Sequence, residues 1–331
     1  MRIISSKNKR ALRSILSRNQ STDSTRVRNV QRIVDDVRQH GDSAVLKYAR
    51  RFDKLRGPVE LSFEEIRDGA KATPPAVRKA IREAARHIRR VSVKQIPQSW
   101  RTTVVPGVTI EQRVTPLDRV GCYVPGGRYP LPSSLLMTTI PAKVAGVSEI
   151  LVACPNPAPA VLAAAMEAKV TRLFKMGGAH AIGAFAYGTK TVPAVDKIVG
   201  PGSAYVSAAK AYVASDCPID FYAGPTEIVI VSRNGNPDWI ASDLIAQAEH
   251  DPEARAILVT PNRPLATAVR TALTKQLKEH PAAIPSIDTH GVAIVTETVN
   301  EAIDLGNAIS PEHAVTDTRA MANRLVKAGT V

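Results

Sequence analysis

Apolar and polar positions change their pattern at about residue 120. Beyond that point short apolar runs, which predict strands, alternate with segments of helical spacing, and several of the junctions are rich in glycine. Such an alternation predicts parallel sheets with helices on both faces. The predicted strands are 120–124, 150–154, 173–176, 197–199, 227–231, 256–259 and 291–295, and the predicted helices are 133–147, 161–169, 180–187, 203–214, 239–250, 266–278 and 299–308.

The first part of the chain is predicted to be mainly helical. Apolar residues recur with helical spacing from 26 to 51, with a break at His40-Gly41-Asp42, and a second helix is predicted from 75 to 96. Two short runs around Gly107 predict a β-hairpin.

Length and composition fit an α/β protein of two domains. The chain has 331 residues, of which 44% are hydrophobic and only 4% aromatic, so the core is expected to consist of Ala, Val, Ile and Leu. We predict two doubly wound, Rossmann-like domains, one inserted in the other, with an N-terminal arm. The arm is 1–17, the discontinuous domain 18–121 plus 229–331, and the inserted domain 122–228.

Charge and cysteine content narrow the class of protein. The net charge is +14, but the basic residues lie mainly on predicted helices, which favours a solvated face over a nucleic-acid-binding surface. Cys122, Cys154 and Cys217 form no CxxC pair, so a disulfide framework or a cysteine zinc site is not expected. The first residues lack the apolar core of a signal peptide, and no apolar run has transmembrane length. We expect a cytoplasmic protein without a membrane partner.

Three glycine turns each close a predicted strand and open a predicted helix. They are Pro125-Gly-Gly127, Gly177-Gly178 and Gly200-Pro-Gly202. The backbone can approach a ligand closely at a glycine, and helix N-termini favour anions. The pyrophosphate of a dinucleotide is therefore one ligand that these turns would suit. None of the turns is a strict GxGxxG, and tight turns without a ligand are an equal alternative.

Two polar clusters suggest an active site built from several loops. Gln247 and His250 are three residues apart on a predicted helix, so an amide oxygen and an imidazole would share one face, as a divalent metal site requires. Glu312 and His313 place a carboxylate beside an imidazole at what the pattern predicts to be a helix end. A lone histidine is more often structural than a ligand, and the pairing is what favours a site.

Long motifs from residue 120 onward resemble those of the histidinol dehydrogenase family. They include Val120-Gly-Cys-Tyr-Val-Pro-Gly-Gly127, Val195-Asp-Lys-Ile-Val-Gly-Pro-Gly202, Ala223-Gly-Pro-Thr-Glu227, Gln247-Ala-Glu-His-Asp251 and Pro311-Glu-His313. Shorter matches, among them Arg51-Phe-Asp53, extend the resemblance to roughly residues 24–331.

The resemblance implies a zinc-dependent homodimer that uses NAD to oxidise L-histidinol to L-histidine through a bound aldehyde. By resemblance, His313 is the general base and a substrate contact, and Glu312 activates water. Gln247 and His250 are implied zinc ligands that also face the substrate, and Thr226 binds substrate where the family usually has serine.

The same resemblance implies that Tyr123, His180 and Ser203 lie at the NAD site. His180 replaces the usual glutamine and Ser203 the usual asparagine, and both replacements can still form hydrogen bonds. Family chains continue beyond the equivalent of Val331 with two further zinc ligands and an exchanged dimer segment. We therefore expect this chain by itself to bind zinc loosely, to dimerise poorly and to be inactive. The alternatives are an inactive homologue with weak NAD binding and a dehydrogenase of another alcohol, such as a sulfonated diol.

Overall fold

The computed structural model describes residues 1–17, 24–126, 130–221 and 226–331. Predictions that fall on Gly127 and on 223–225 lie outside these residues. The strands are β1 (Arg2–Ser5), β2 (Glu60–Leu61), β3 (Trp100–Val105), β4 (Val108–Gln112), β5 (Arg119–Tyr123), β6 (Glu149–Ala153), β7 (Arg172–Phe174), β8 (Lys197–Val199), β9 (Glu227–Val231), β10 (Arg255–Thr260), β11 (Val292–Val295) and β12 (His313–Thr316).

Most helices follow the strands on whose faces they pack. They are α1 (Lys9–Leu16), α2 (Ser24–His40), α3 (Asp42–Phe52), α4 (Phe63–Lys71), α5 (Pro75–Lys94), α6 (Pro132–Val144), α7 (Pro159–Ala168), α8 (Gly178–Tyr187), α9 (Ala204–Val213), α10 (Pro237–Ala248), α11 (Arg263–Gln276), α12 (Ile284–His290), α13 (Val299–Ile309) and α14 (Arg319–Ala322). A 3₁₀ turn, Pro281–Ala283, precedes α12. In the described part of the chain, no helix is long and apolar enough to cross a membrane.

Two compact units make up the chain. The split unit joins Met1–Ser21 to Gly224–Val331, and the continuous unit is Thr22–Ala223. The mixed α/β architecture agrees with the predicted fold class.

The split unit contains a five-stranded parallel sheet in the order β1-β11-β10-β9-β12. Between their first and last residues, its central strands β9, β10 and β11 are apolar because helices cover both faces. Ile228 and Leu258 enter the core beneath α10 and α11, whereas Val229 and Ile257 enter the core beneath α13. The predicted polar arm is part of this unit, because β1 pairs with β11 and Ile15 of α1 is buried.

The continuous unit has a second sheet, ordered β2-β7-β6-β5-β8, that is parallel except for the edge strand β2. One face is covered by α2, α3, α8 and α9, and the other by α4, α5, α6 and α7. Phe174 and Phe185 meet edge to face in the first of these cores, with ring centroids 6.5 Å apart.

The helix break and the hairpin occur where the sequence predicts them. Gly41 separates α2 from α3 with a φ of +54°, and β3 and β4 pair around Gly107. The grouping of segments differs from the predicted one: 24–121 belongs with the 122–223 region and not with 229–331. The physical reason is that α2 packs on α8 and α9, and α5 on α6 and α7. Periodicity identifies an apolar face but not the surface that covers it.

Candidate active site

The continuous unit offers a crevice at a point where its strand order reverses. The chain passes from β5 to β6 and β7 on one side of β5, and then places β8 on the other side. In open α/β sheets, ligands bind at the carboxyl ends of the two strands that flank such a switch point. Tyr123 is the last residue of β5, and Gly200 directly follows β8. Tyr123 and the Gly200 turn, both predicted to belong to the cofactor site, therefore lie side by side at the carboxyl ends of β5 and β8.

Gly200 turns the backbone sharply against β5. Its φ is +116°, and a Cβ at this position would lie 2.2 Å from the carbonyl oxygen of Tyr123. Only glycine lets the turn pack this closely against the backbone of β5. Ser203 follows as the N-cap residue of α9, exposed, with no capping hydrogen bond from its side chain to the described residues. Its hydroxyl can therefore meet a ligand at the start of a ten-residue helix.

A hydrogen-bonded network holds the second glycine turn. The backbone N–H of Gly178 donates to the Tyr123 hydroxyl over 3.1 Å, and burial raises the pKa of Tyr123 to about 12. The N–H of Gly177 donates to Asp53 over 3.0 Å, and Nε2 of His180 lies 3.0 Å from the same carboxylate oxygen. Tyr123 is thus a neutral phenol that links strand β5 to the turn before α8.

His180 does not face the crevice in this conformation. Its side chain is 1% exposed and packs near the rings of Tyr48 and Phe52, whose centroids are 6.0 and 6.4 Å away. A direct cofactor contact was expected for this residue. The geometry instead gives it a place behind the Gly177 turn, bound through Asp53.

The remaining predicted site residues lie in the split unit, at the amino ends of its strands. Thr226 directly precedes β9, and helix α10 returns to the same edge with Gln247 in its last turn. Nε2 of Gln247 donates a hydrogen bond to Oγ1 of Thr226, although these residues are 21 positions apart. The amide oxygen of Gln247 is then turned away from this bond and is the atom a cation would take.

His250 is not on the helix that carries Gln247. Helix α10 ends at Ala248, and His250 is exposed in the following turn, where its N–H donates to the Gln247 carbonyl over 3.3 Å. The predicted helix to residue 250 is therefore two residues too long. The turn keeps the two residues near each other, but a turn places an imidazole less precisely than a helix does.

His313 opens a strand that Glu312 directly precedes, and neither residue ends a helix. Helix α13 ends at Ile309, Ser310 takes the left-handed conformation with a φ of +51°, and His313 begins β12. Nε2 of His313 lies 3.4 Å from Oε1 of Glu312, and their side chains are 44% and 52% exposed.

The register connects this pair with Thr226. His313 is paired with Ile228 of the parallel strand β9, so both β9 and β12 start at the same edge. Neighbouring strands are about 4.8 Å apart. An alcohol bound at this edge could therefore meet a hydroxyl, an imidazole and a carboxylate.

The described residues do not complete a zinc site. No group of three or more His, Cys, Asp or Glu converges in the ranges that the structure describes. Gln247 and His250 supply two donors, whereas zinc takes three or four protein ligands. These two residues could bind a cation only together with further ligands.

The sequence motifs do not predict the acidic and basic residues that hold the turns. Asp53 lies in a motif for which the resemblance implies no role, and Lys210 and Asp220 lie outside the two polar clusters. One signal was available, since Lys210 is the only charged residue in the apolar segment of α9. A lysine on the buried face of a helix indicates a specific partner.

Comparison with known proteins identifies the family. A family model for histidinol dehydrogenase matches residues 16–331. The chain belongs to the histidinol dehydrogenase family. Histidinol dehydrogenase from Cupriavidus pinatubonensis is 44% identical over 319 residues, which cover 92% of this chain and 72% of the relative. The enzyme from Geobacter sulfurreducens is 40% identical, over 96% of this chain and 78% of the relative.

A solved structure supports the same assignment. The crystal structure of histidinol dehydrogenase from Elizabethkingia anophelis matches with a TM-score of 0.92 at 28% identity, and the match covers 100% of this chain and 79% of that one. The family is one of oxidoreductases, so the chain is a member of an enzyme family.

Proposed function

We propose that this protein is a histidinol dehydrogenase that oxidises histidinol to histidine with NAD, a step of histidine biosynthesis. One observation carries the proposal beyond family membership. Thr226, Gln247 and the adjacent pair Glu312 and His313 come from three separate segments and lie at the same end of one sheet, where β9 and β12 begin. Hydroxyl, amide, carboxylate and imidazole groups together suit a polar substrate that must lose protons during its oxidation.

In the first step, the alcohol is oxidised to an aldehyde. His313 takes the hydroxyl proton at an imidazole nitrogen, and a hydride leaves the carbon. Bound NAD⁺ supplies the hydride acceptor. Thr226 binds the substrate, and its Oγ1 is oriented by the hydrogen bond from Gln247.

In the second step, the aldehyde gains water and loses another hydride and two protons to yield the carboxylate, and a second NAD⁺ would supply the acceptor for this hydride. Glu312 accepts a proton from the attacking water, which makes that water nucleophilic. The two steps together remove four electrons from the substrate. Glu312 and His313 are half-exposed before substrate binds, so protons exchange readily with solvent.

For the cofactor, we propose the crevice at the carboxyl ends of β5 and β8. Tyr123 and Ser203 border this crevice, and the Gly200 turn, packed against the backbone of Tyr123, leads into the N-terminus of α9, where the phosphates of a dinucleotide are favoured. His180 serves the same site from behind, through Asp53 and the Gly177 N–H.

Gln247 and His250 are proposed as two members of a zinc ligand set. Because two donors do not form a zinc site, none of the proposed steps is assigned to the metal. Homodimerisation and a cytoplasmic location remain proposals that follow from family membership.

Substitutions at the paired residues test the function. In a chain extended to the length of its family relatives, and with histidinol and NAD, His313→Ala is expected to slow alcohol oxidation by about 10²–10⁴-fold, as followed by NADH absorbance. Glu312→Gln is expected to impair oxidation of added histidinal more than oxidation of histidinol. His280→Ala is a matched control, because His280 is 45% exposed and also lies beside a glutamate, Glu249, at 2.8 Å.

The control is expected to retain wild-type rates in both steps. Equal losses in His280→Ala and His313→Ala would contradict the role of His313. A chain extended to the length of its family relatives that binds NAD but turns over no histidinol would refute the proposed substrate.

A further inference from the structure

Lys210 has an unusual environment for a lysine. Its side chain is 2% exposed, although it lies on the ten-residue helix α9. An ammonium is almost never buried in this way unless its donors are satisfied. Its Nζ donates to the carbonyl oxygen of Gly200 over 2.9 Å and to the carboxylate of Asp220. The ring of Phe221 covers the charge, with its centroid 5.3 Å from Nζ.

Asp220 completes the hold on the same glycine. Its Oδ2 accepts the N–H of Gly200 over 2.7 Å, while its Oδ1 accepts the N–H of Phe221 over 2.8 Å. The carbonyl and the N–H of Gly200 are therefore both bound by one buried ion pair. The pair acts on a residue whose conformation a side chain would strain, since the φ of Gly200 is +116°.

We infer that Lys210 and Asp220 are positioning residues for the proposed NAD site, which fix the Gly200-Pro201-Gly202 turn against the backbone of Tyr123. The inference rests on the proposed cofactor site. Neither side chain needs to touch the cofactor. Their bonds set the path of the turn, and the turn determines where Ser203 and the first N–H groups of α9 point.

The alternative is that the pair serves stability alone. Another ion pair in the continuous unit allows the two explanations to be compared. Arg119 pairs with Glu149 at 2.8 Å, but Arg119 is the first residue of β5, at the opposite end from Tyr123. If both ion pairs only stabilise the fold, removing either of them should leave the affinity for the cofactor unchanged.

The test compares Lys210→Met with Arg119→Met. Calorimetry measures the Kd for NAD, and amide hydrogen exchange with mass spectrometry measures the opening of the turn in a peptide that spans residues 198–206. Lys210→Met is expected to raise the Kd by about tenfold or more, the scale of one lost charge-assisted hydrogen bond, and to speed exchange in this peptide. Arg119→Met is expected to leave both unchanged.

A double variant separates the loss of the hydrogen bonds that position the turn from the cost of leaving a buried charge unpaired. Lys210→Met with Asp220→Leu removes both charges, and buried pairs replaced by apolar residues of similar size often keep their stability. Both main-chain groups of Gly200 lose their partners in this variant, so NAD affinity and exchange protection are expected to fall as in Lys210→Met. It also keeps the test valid if Lys210→Met alone fails to fold.

Each outcome decides between the two claims. A double variant with wild-type exchange at the turn would overturn the positioning role, whatever its affinity for NAD. A wild-type protein that binds no NAD would overturn the proposed cofactor site, and faster exchange in the double variant would still support the positioning role. Fast exchange with unchanged affinity would overturn the link between the turn and the cofactor.

Discussion

Gly200→Ala is the substitution for which the structure predicts the clearest combined loss of stability and cofactor binding. Two independent costs apply at this position. The φ of +116° lies in a region that residues with a Cβ rarely adopt. The added methyl would also lie 2.2 Å from the carbonyl oxygen of Tyr123, a backbone atom in a paired strand that cannot rotate aside.

The magnitude follows from these two costs. Backbone strain contributes about 1–2 kcal/mol for a residue forced to a positive φ. The clash adds about 1–3 kcal/mol, the usual cost of overpacking that displaces backbone. The free energy of unfolding is therefore expected to fall by about 2–5 kcal/mol. This is a large part of the roughly 5–15 kcal/mol that stabilises a typical domain.

Gly57→Ala is the matched control. Gly57 has a φ of +77°, but a Cβ there would meet nothing within 4 Å. It should lose only the strain term, about 1–2 kcal/mol, and should bind NAD as the wild type does. Urea unfolding followed by circular dichroism measures the stabilities, and calorimetry the affinities. Equal stability losses in the two variants, or wild-type NAD affinity in Gly200→Ala, would refute this reasoning.

Three further perturbations have defined outcomes. Thr226→Val removes the acceptor for the buried amide of Gln247. It is expected to lower the free energy of unfolding by about 1–3 kcal/mol, measured with urea, and to raise the KM for histidinol. Thr226→Ser should change neither quantity, and similar values for both variants would argue against the hydrogen bond. Hydrogen bonds from Lys47 and Tyr48 lower the pKa of Asp36 to about 2. Because the folded pKa is below the unfolded value of about 3.9, the stabilisation is complete above that value and is lost as the pH falls towards 2. Asp36→Asn should therefore be about 1–2 kcal/mol less stable than wild type near pH 6, and the gap should close near pH 2; a gap that is constant with pH would contradict this. Burial raises the pKa of Cys122 and Cys154 to about 12 and that of Cys217 to about 11. A thiol reagent at about pH 8 should label the native protein slowly and all three cysteines after unfolding, and rapid labelling of the native chain would show that they are accessible.

Part of the site could be predicted from the sequence because its signals are local. The glycines after β7 and β8, and the adjacent Glu312 and His313, need only a few neighbouring residues to be recognised. The end of α10 could not be predicted as well from the sequence, because contacts of the last turn determine where the helix stops. No residue next to His250 marks it as lying beyond that end.

The sequence by itself determined the alternation of strands and helices from residue 120 onward, the break at Gly41 and the family to which the chain belongs. These features depend on periodicity, on glycine and on motifs that are each continuous in the chain. Tertiary structure alone decided that 24–121 packs with 122–223, and that the Thr226 and His313 segments start at one sheet edge. It also decided that His180 is buried on Asp53, a residue 127 positions away. Partners so distant are chosen by packing and by hydrogen-bond satisfaction in the folded core, and no local pattern records them.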